Sequence, residues 1–389
     1  MTDEEAPAPG PDGTSRVVLV SYLARDPFSP RGARTEAVLA ELRTRSEVEV
    51  VAGSEKRVRS QRLNSSRRRR LARRGVSALL MDKFEPWSRR RFSRWHPKAD
   101  GALLIGYPFS PLVYASSRLS RFGIPYVVDV GDPWALTARQ PALRGLALER
   151  ALHAERRLWS GARAAVVTTP AQRESLRELF SDLPILVRPN GVKTSAPTDP
   201  QVQELPRTPR ARLALVHFGS LYEARLDVRP FLTRLAREGP WEGVELTQFG
   251  GDWTSDLGSL TDDFVVHVRA PVPWPQAVSE ARKFDAALVI GNVDPSQLPS
   301  KVVSYLALPI PRIAVTADPD EDAIGSYLRD KSGWLALRSD APNAAPLVHR
   351  HTSRSWSPAE LAVPPSELWE PVSREIVDFV LDALRRAAR

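Results

Sequence analysis

Residues 213–225 read LALVHFGSLYEAR: an apolar run, then Gly219-Ser220, then a polar stretch entering a helical pattern near Val228. Residues 286–306, AALVIGNVDPSQLPSKVVSYL, show the same succession. An apolar run that ends in glycine ahead of a helix start is the strand-to-helix step of a doubly wound sheet. Working outward, comparable runs lie at 17–21, 48–52, 101–106, 125–130, 164–169 and 185–188. A second set lies at 213–218, 244–249, 264–268, 286–291, 312–316 and 333–337. They are apolar on both faces, as buried parallel strands must be. Helical patterns separate them at 34–45, 143–160, 170–180, 228–238 and 276–283. Two such series in succession predict an α/β protein with two doubly wound parallel-sheet, Rossmann-like domains facing a cleft.

Residues 196–211 hold Pro197, Pro200, Pro206 and Pro209 with almost no apolar periodicity, and read as the linker. The first domain is therefore expected over 16–195 and the second over 212–365. Residues 366–389 form an amphipathic terminal helix, with Leu368, Val372, Ile376, Phe379, Val380 and Leu384 near helical spacing. Residues 1–15, acidic and rich in proline and glycine, read as a disordered tail rather than a targeting segment.

A chain of 389 residues with 42% apolar and 26% charged side chains has the material for two sizeable cores. It contains no cysteine, which excludes disulfides, thiolate nucleophiles and cysteine-held metals and fits a reducing, cytoplasmic setting. The longest uncharged stretch, 101–117, is short and is broken by Pro108 and Pro111, so no membrane-spanning helix is expected.

Charge is concentrated in one place. The formal total is +9, yet residues 56–98 alone hold 16 Lys/Arg against Asp82 and Glu85, leaving the rest mildly acidic. Arg67, Arg68, Arg69, Arg70, Arg73, Arg74, Arg90 and Arg91 alternate with apolar residues that include Trp87 and Trp95. Such a segment suits an anionic membrane surface, the peripheral inner face of the membrane in this setting. Two other readings stay open: a solvated helix whose arginines meet the acidic remainder, and the phosphates of nucleic acid, the latter without a recognisable nucleic-acid module around it.

Ligands of open α/β sheets bind beyond the carboxyl ends of the strands, so residues there are the candidates. Gly219, Ser220 and Tyr222 come after the first strand of the second domain, with Arg225 as a charge partner for a diphosphate; a tight turn with a solvated arginine is the alternative. Lys301, after Pro299-Ser300 and ahead of Tyr305, stands in a helical first turn, where a cation is disfavoured unless an anion lies near. Gly250-Gly251 marks a close backbone approach or a simple turn. In the first domain, Arg31 and Gly32 come after strand one, and Asp129 and Asp132-Pro133-Trp134 lie at the end of strand four. Asp132 is placed to orient or deprotonate a hydroxyl, or to cap the segment beyond it. Asp318-Pro319-Asp320 and His349-Arg350-His351 lack the surrounding pattern of a metal site.

The ordered series VVDVGDPW at 127–134, AVVTTP at 165–170, RPNGV at 188–192, FGSLY at 218–222 and LPSK at 298–301 with Tyr305-Leu306 resembles the GT-B glycosyltransferases of family 4. The resemblance spans residues 17 to about 340, and the terminal helix resembles the one that returns to the first domain. It implies a retaining, hexosyltransferase-like transfer from a nucleotide-diphosphate sugar without a metal or other cofactor. Gly219, Ser220, Arg225 and Lys301 would hold the diphosphate, with Tyr222, Gly250, Gly251, Ser300 and Tyr305 on the donor side. Arg31, Gly32, Asp129, Asp132 and Trp134 would face the acceptor, a glycan, glycolipid or small molecule. The donor's own phosphate oxygen would take the acceptor proton. The family commonly carries two glutamates eight residues apart around Lys301; Ser296 and Ser304 stand here. A histidine often precedes the aspartate; here it is Gly131. A catalytically silent GT-B-like binding protein and an enzyme that rearranges a nucleotide-sugar remain as alternatives.

Overall fold

A computed structural model describes residues 15–24, 29–53, 81–82, 84–138, 143–193, 211–219, 225–250 and 263–387. The expected tail, nearly all of the expected linker, and Arg67, Arg68, Arg69, Arg70, Arg73, Arg74, Ser220, Tyr222 and Gly251 lie outside the described residues. The chain divides into two compact units, Met1–Gly191 with Trp369–Arg389, and Val192–Leu368.

The first unit is built on β1 (Arg16–Ser21), β2 (Glu47–Ala52), β3 (Gly101–Ile105), β4 (Tyr126–Val130), β5 (Ala164–Val167) and β6 (Ile185–Val187). All pair in parallel in the order β2-β1-β3-β4-β5-β6, with Leu19 beside Leu103 and Leu103 beside Val127. Strand side chains alternate between faces, and both faces here are apolar. Val18, Val20, Leu104 and Val128 pack against Phe109, Leu112, Leu158 and Trp159 of α3 (Phe109–Arg121) and α4 (Gly145–Ser160). Val17, Leu19, Leu103 and Val127 meet Val38 and Leu42 of α1 (Pro30–Arg43) and the terminal helix α12 (Trp369–Ala387). The short α2 (Glu85–Phe92) lies against α3, and α5 (Pro170–Leu179) connects β5 to β6.

The second unit has β7 (Arg212–Phe218), β8 (Gly243–Phe249), β9 (Phe264–Arg269), β10 (Ala286–Ile290), β11 (Arg312–Thr316) and β12 (Trp334–Arg338). These too are all parallel, ordered β12-β11-β10-β7-β8-β9. One face carries α6 (Arg229–Glu238) and α10 (Ala344–Ser353) through Phe231, Leu232, Leu235 and Val348. The other carries α7 (Trp274–Ala281), α8 (Ser300–Ser304) and α9 (Ala323–Leu328) through Ala277, Val302, Val303 and Ile324. A single helical turn, α11 (Pro358–Leu361), is closed at its start by a Ser357–Glu360 capping box.

Every expected strand is present, within two residues of its expected bounds. Helices α3, α9, α10 and α11 lie outside the helical patterns expected from the sequence, and α3 and α10 carry proline in the first turn. In α3, Pro108 precedes the helix and Pro111 is its third residue; in α10, Pro346 is the third residue. Pro108 and Pro111 read as breaks in the 101–117 stretch, but first-turn N–H groups have no intrahelical acceptor, so a proline in the first turn, Pro346 included, removes no helical hydrogen bond.

Candidate functional site

In the second unit the strand order reverses between β7 and β10, and the carboxyl ends of those strands gather the charged residues. Gly219 comes directly after β7 with φ of +133°, donates its N–H to Phe249 O at 2.7 Å and accepts from Gln248 Nε2 at 3.0 Å. The Lys301 side chain lies across it: a Cβ at position 219 would overlap Lys301 Cε and Nζ. Glycine is therefore required twice, by the backbone angle and by the lysine. Lys301 is largely buried, and the charge acting on it is that of another cation, Arg225; burial first and Arg225 second bring its ammonium down to about 8.

Arg225 donates to Ile290 O at 3.1 Å and forms an isolated β-bridge with Asn292, while Leu226 N–H donates to Gly291 O, so its head is fixed at the end of β10. His217, one residue before the end of β7, is fully buried. Its Nδ1–H donates to Leu288 O at 2.8 Å, which leaves Nε2 as a lone pair. Burial, then the charge of Lys301, pull its pKa down to about 3, so the imidazole is neutral. His217 Nε2, Gln248 Oε1 and Asn292 Oδ1 are buried without a hydrogen-bond partner among the described residues, all on or beside the strands around Gly219. Lys301 across the Gly219 turn, with Arg225 close enough to act on its charge, suits a polyanion, and the unpartnered polar atoms nearby leave further hydrogen-bonding capacity.

Several donor-side expectations change. Tyr305 is fully buried and its hydroxyl accepts from Phe218 N–H at 2.6 Å; burial raises its pKa, and it serves as an internal prop for the glycine turn. Ser300 opens α8 next to Lys301, and Gly250 donates to Arg269 O at the end of β8, one strand away from Gly219. Ser296 donates to Asp294 Oδ1 at 2.6 Å, and Ser304 to Lys301 O at 3.4 Å. Sequence reasoning did not single out His217, Gln248 or Asn292. The available signal was a histidine and a glutamine inside otherwise apolar runs, each just before a glycine or the strand end.

In the first unit the order reverses between β1 and β3. Ser29 caps α1, which places Arg31 and Gly32 in its first turn. Arg31 forms an ion pair with Asp132, passes over Gly106 at the end of β3, where φ is +88°, and lies 4.9 Å from the Tyr107 ring centroid. Arg31, Tyr107 and Asp132 thus share the carboxyl end of the sheet, half-open to solvent. The loop beyond Asp132 is pinned by buried Glu155, which accepts from Ala135 N, Leu136 N, Thr137 Oγ1 and Trp159 Nε1. Asp129 and Trp134 do not face an acceptor. Asp129 is 0% exposed, with both oxygens on Arg34 Nε at 3.0 and 2.9 Å. Arg34 also donates to Arg188 O and Pro189 O, tying β4 to the RPNGV segment. Trp134 stacks on Phe109 at 4.5 Å within the core. Among the described residues no three His, Asp or Glu side chains converge as metal ligands, and no helix is long and apolar enough to cross a membrane.

Set beside known proteins, residues 31–191 match the glycosyl transferase 4-like domain. The match covers the first unit, and the two-unit fold is that of GT-B proteins. The solved structures similar to the GT-B chain include Anabaena HepE in complex with UDP-glucose, at 12% identity over 96% of this chain and 98% of that one, TM-score 0.53. The Staphylococcus aureus MnaA–UDP structure shares 10% identity over 94% and 95%, TM-score 0.52. The N-terminal domain of Candida albicans trehalose-6-phosphate phosphatase shares 13% over 96% and 97%, TM-score 0.56. At these identities the likeness is one of fold. A search of curated proteins gives no match.

Proposed function

We propose that this GT-B protein transfers a sugar from a nucleotide-diphosphate sugar to an acceptor hydroxyl, with retention at the anomeric carbon. The observation that carries the reading is the Lys301 ammonium laid across the left-handed Gly219 turn within the field of a second cation, Arg225. Two solved structures of the same fold hold UDP or UDP-glucose, which supports a uridine nucleotide as donor. In the reaction the bond between the anomeric carbon and the diphosphate oxygen breaks, and the electron pair leaves on the diphosphate. Lys301 and Arg225 receive that growing charge in a site screened from water, where fixed cations lower a barrier most. The new bond forms to the acceptor oxygen, whose proton passes to the departing phosphate oxygen. Asp132, held by Arg31, orients the acceptor hydroxyl in the first unit. The acceptor is a glycan, glycolipid or small molecule. The two cations take the place of a divalent metal, so activity survives a chelator.

The test is thermal melting with UDP, GDP, dTDP, ADP and CMP, each with and without magnesium. One diphosphate at a hundredfold excess over its dissociation constant stabilises by about 2.7 kcal/mol. Lys301→Ala and Arg225→Ala abolish that shift and turnover together. Absence of any nucleotide shift in the wild type overturns the reading and favours a silent binding protein. One structural neighbour is named as a UDP-N-acetylglucosamine 2-epimerase, from Listeria monocytogenes, at 11% identity and TM-score 0.53. Product analysis with donor alone separates that chemistry: a new nucleotide-sugar without acceptor identifies a rearranging enzyme.

A further inference from the structure

The aromatic residues of the basic segment belong to the core. Trp95 is buried with Phe92, and Trp87 is half-buried with its ring edge-on to Tyr22 and Phe92. What α2 and the stretch after it present to solvent is charge: Arg89, Arg90, Arg91, Arg94 and Lys98 are all exposed. Among the described residues no carboxylate forms an ion pair with Arg90, Arg91, Arg94 or Lys98. Three ties hold this row rigid. Arg118 of α3 donates twice to Trp95 O, at 3.0 and 2.8 Å. Ser88 and Ser110 hydroxyls meet at 3.0 Å, and Arg150 of α4 donates to Glu85 at 2.8 Å. Two exposed apolar side chains lie on or directly after helices tied to this row. Phe122, 36% exposed, lies beside His96 and under Arg118. Leu146, 61% exposed, is one helical turn before Arg150. The acids nearby are Asp100, which accepts from Arg16 N–H, and Glu149.

We propose that this face of the first unit docks on an anionic lipid bilayer, with arginines among the headgroups and Phe122 and Leu146 reaching the acyl boundary. A row of exposed cations fits any polyphosphate, but exposed apolar side chains beside it fit a lipid interface and gain nothing from a sugar–phosphate backbone. Nucleic-acid binders use exposed aromatics to stack bases, and here Trp95 and Phe92 are enclosed in the core. The inference goes beyond the transferase reading and does not depend on it.

The experiment is co-sedimentation of the full chain with phosphatidylglycerol–phosphatidylcholine vesicles, with pure phosphatidylcholine as control, at low and physiological salt. Binding is expected to anionic vesicles only, weakening with salt. The triple variant Arg90→Gln, Arg91→Gln, Arg94→Gln lowers partitioning by about a hundredfold, roughly fivefold per charge removed. Leu146→Ser lowers it several-fold with an unchanged salt dependence. Both variants keep the wild-type melting temperature and nucleotide response, so loss of vesicle binding is separable from loss of the donor site. A wild type that ignores anionic vesicles overturns the proposal. So does a triple variant that binds as tightly as wild type, or a short RNA or DNA duplex bound more tightly than vesicles at the same salt.

Discussion

At the scale of single residues, the proposed donor site puts the weight on the protonation of Lys301. Its pKa in the folded chain is about 8, below the ordinary 10.5, because burial and Arg225 disfavour the charge. Between these values the unfolded chain binds the extra proton. Stability therefore rises with pH from about 8 to 10.5, and the full penalty is present below 8. Nucleotide diphosphate affinity runs the other way: it is flat below pH 8 and falls by at most tenfold per pH unit above it, measurable by calorimetry. His217 and His351, at about 3 and about 4, are held neutral by burial against an ordinary 6.5. The folded state gives up protons that the unfolded state keeps, so stability is lost as pH falls below about 6.5, down to 4 and 3. A melting-temperature series across pH 4–7 checks this, and His351→Gln makes its slope shallower. Gly219→Ala forces a left-handed φ on alanine, at about 1–3 kcal/mol, and displaces the lysine. The variant should remain folded by circular dichroism while diphosphate binding weakens at least about tenfold.

At the scale of elements, α8 is only five residues long and depends on its neighbours for position. Arg312, fully buried in β11, donates through one nitrogen to Leu306 O, Leu308 O and Leu361 O at 2.7–2.9 Å, and thereby fixes the segment that carries Lys301 and Tyr305. Burial alone lowers its pKa, to about 9. Arg312→Met leaves three carbonyls without a donor and should cost about 1–3 kcal/mol in a denaturant melt. It should also weaken nucleotide binding, although Arg312 itself lies behind the site. None of this was visible in RIAVT at 312–316, where an arginine at a strand start looks solvent-exposed. The strands themselves were legible because both faces of each sheet are covered and continuous apolar runs result. Gly219, Arg225 and Lys301 could be read as a set because glycine after a strand and a lysine in a first helical turn each break a local preference. Asp129, Trp134, Tyr305 and Trp95 could not be sorted the same way: a polar or aromatic residue at a strand end has the same spelling whether it faces a ligand or a core.

At the scale of the molecule, the chain closes its first unit with its last helix. Val372, Ile376, Val377, Val380, Leu381 and Leu384 of α12 cover the face of the first sheet made by Val17, Leu19, Leu103 and Val127. At about 1.5–3 kcal/mol for each fully buried side chain, this contribution equals or exceeds the net stability of an ordinary domain. Deleting residues 369–389 should leave Val192–Leu368 melting cooperatively while the first unit loses its transition, as calorimetry of the truncated chain would show. The terminal amphipathic pattern was readable, but its destination came from resemblance, since periodicity records that a face must be covered and not by what. The same arrangement sets an order of events on the ribosome. The second unit is continuous in sequence and can finish folding while the first, begun earlier, still waits for its closing helix to be translated. Its bare apolar sheet is then open to chaperones until residues 369–387 emerge.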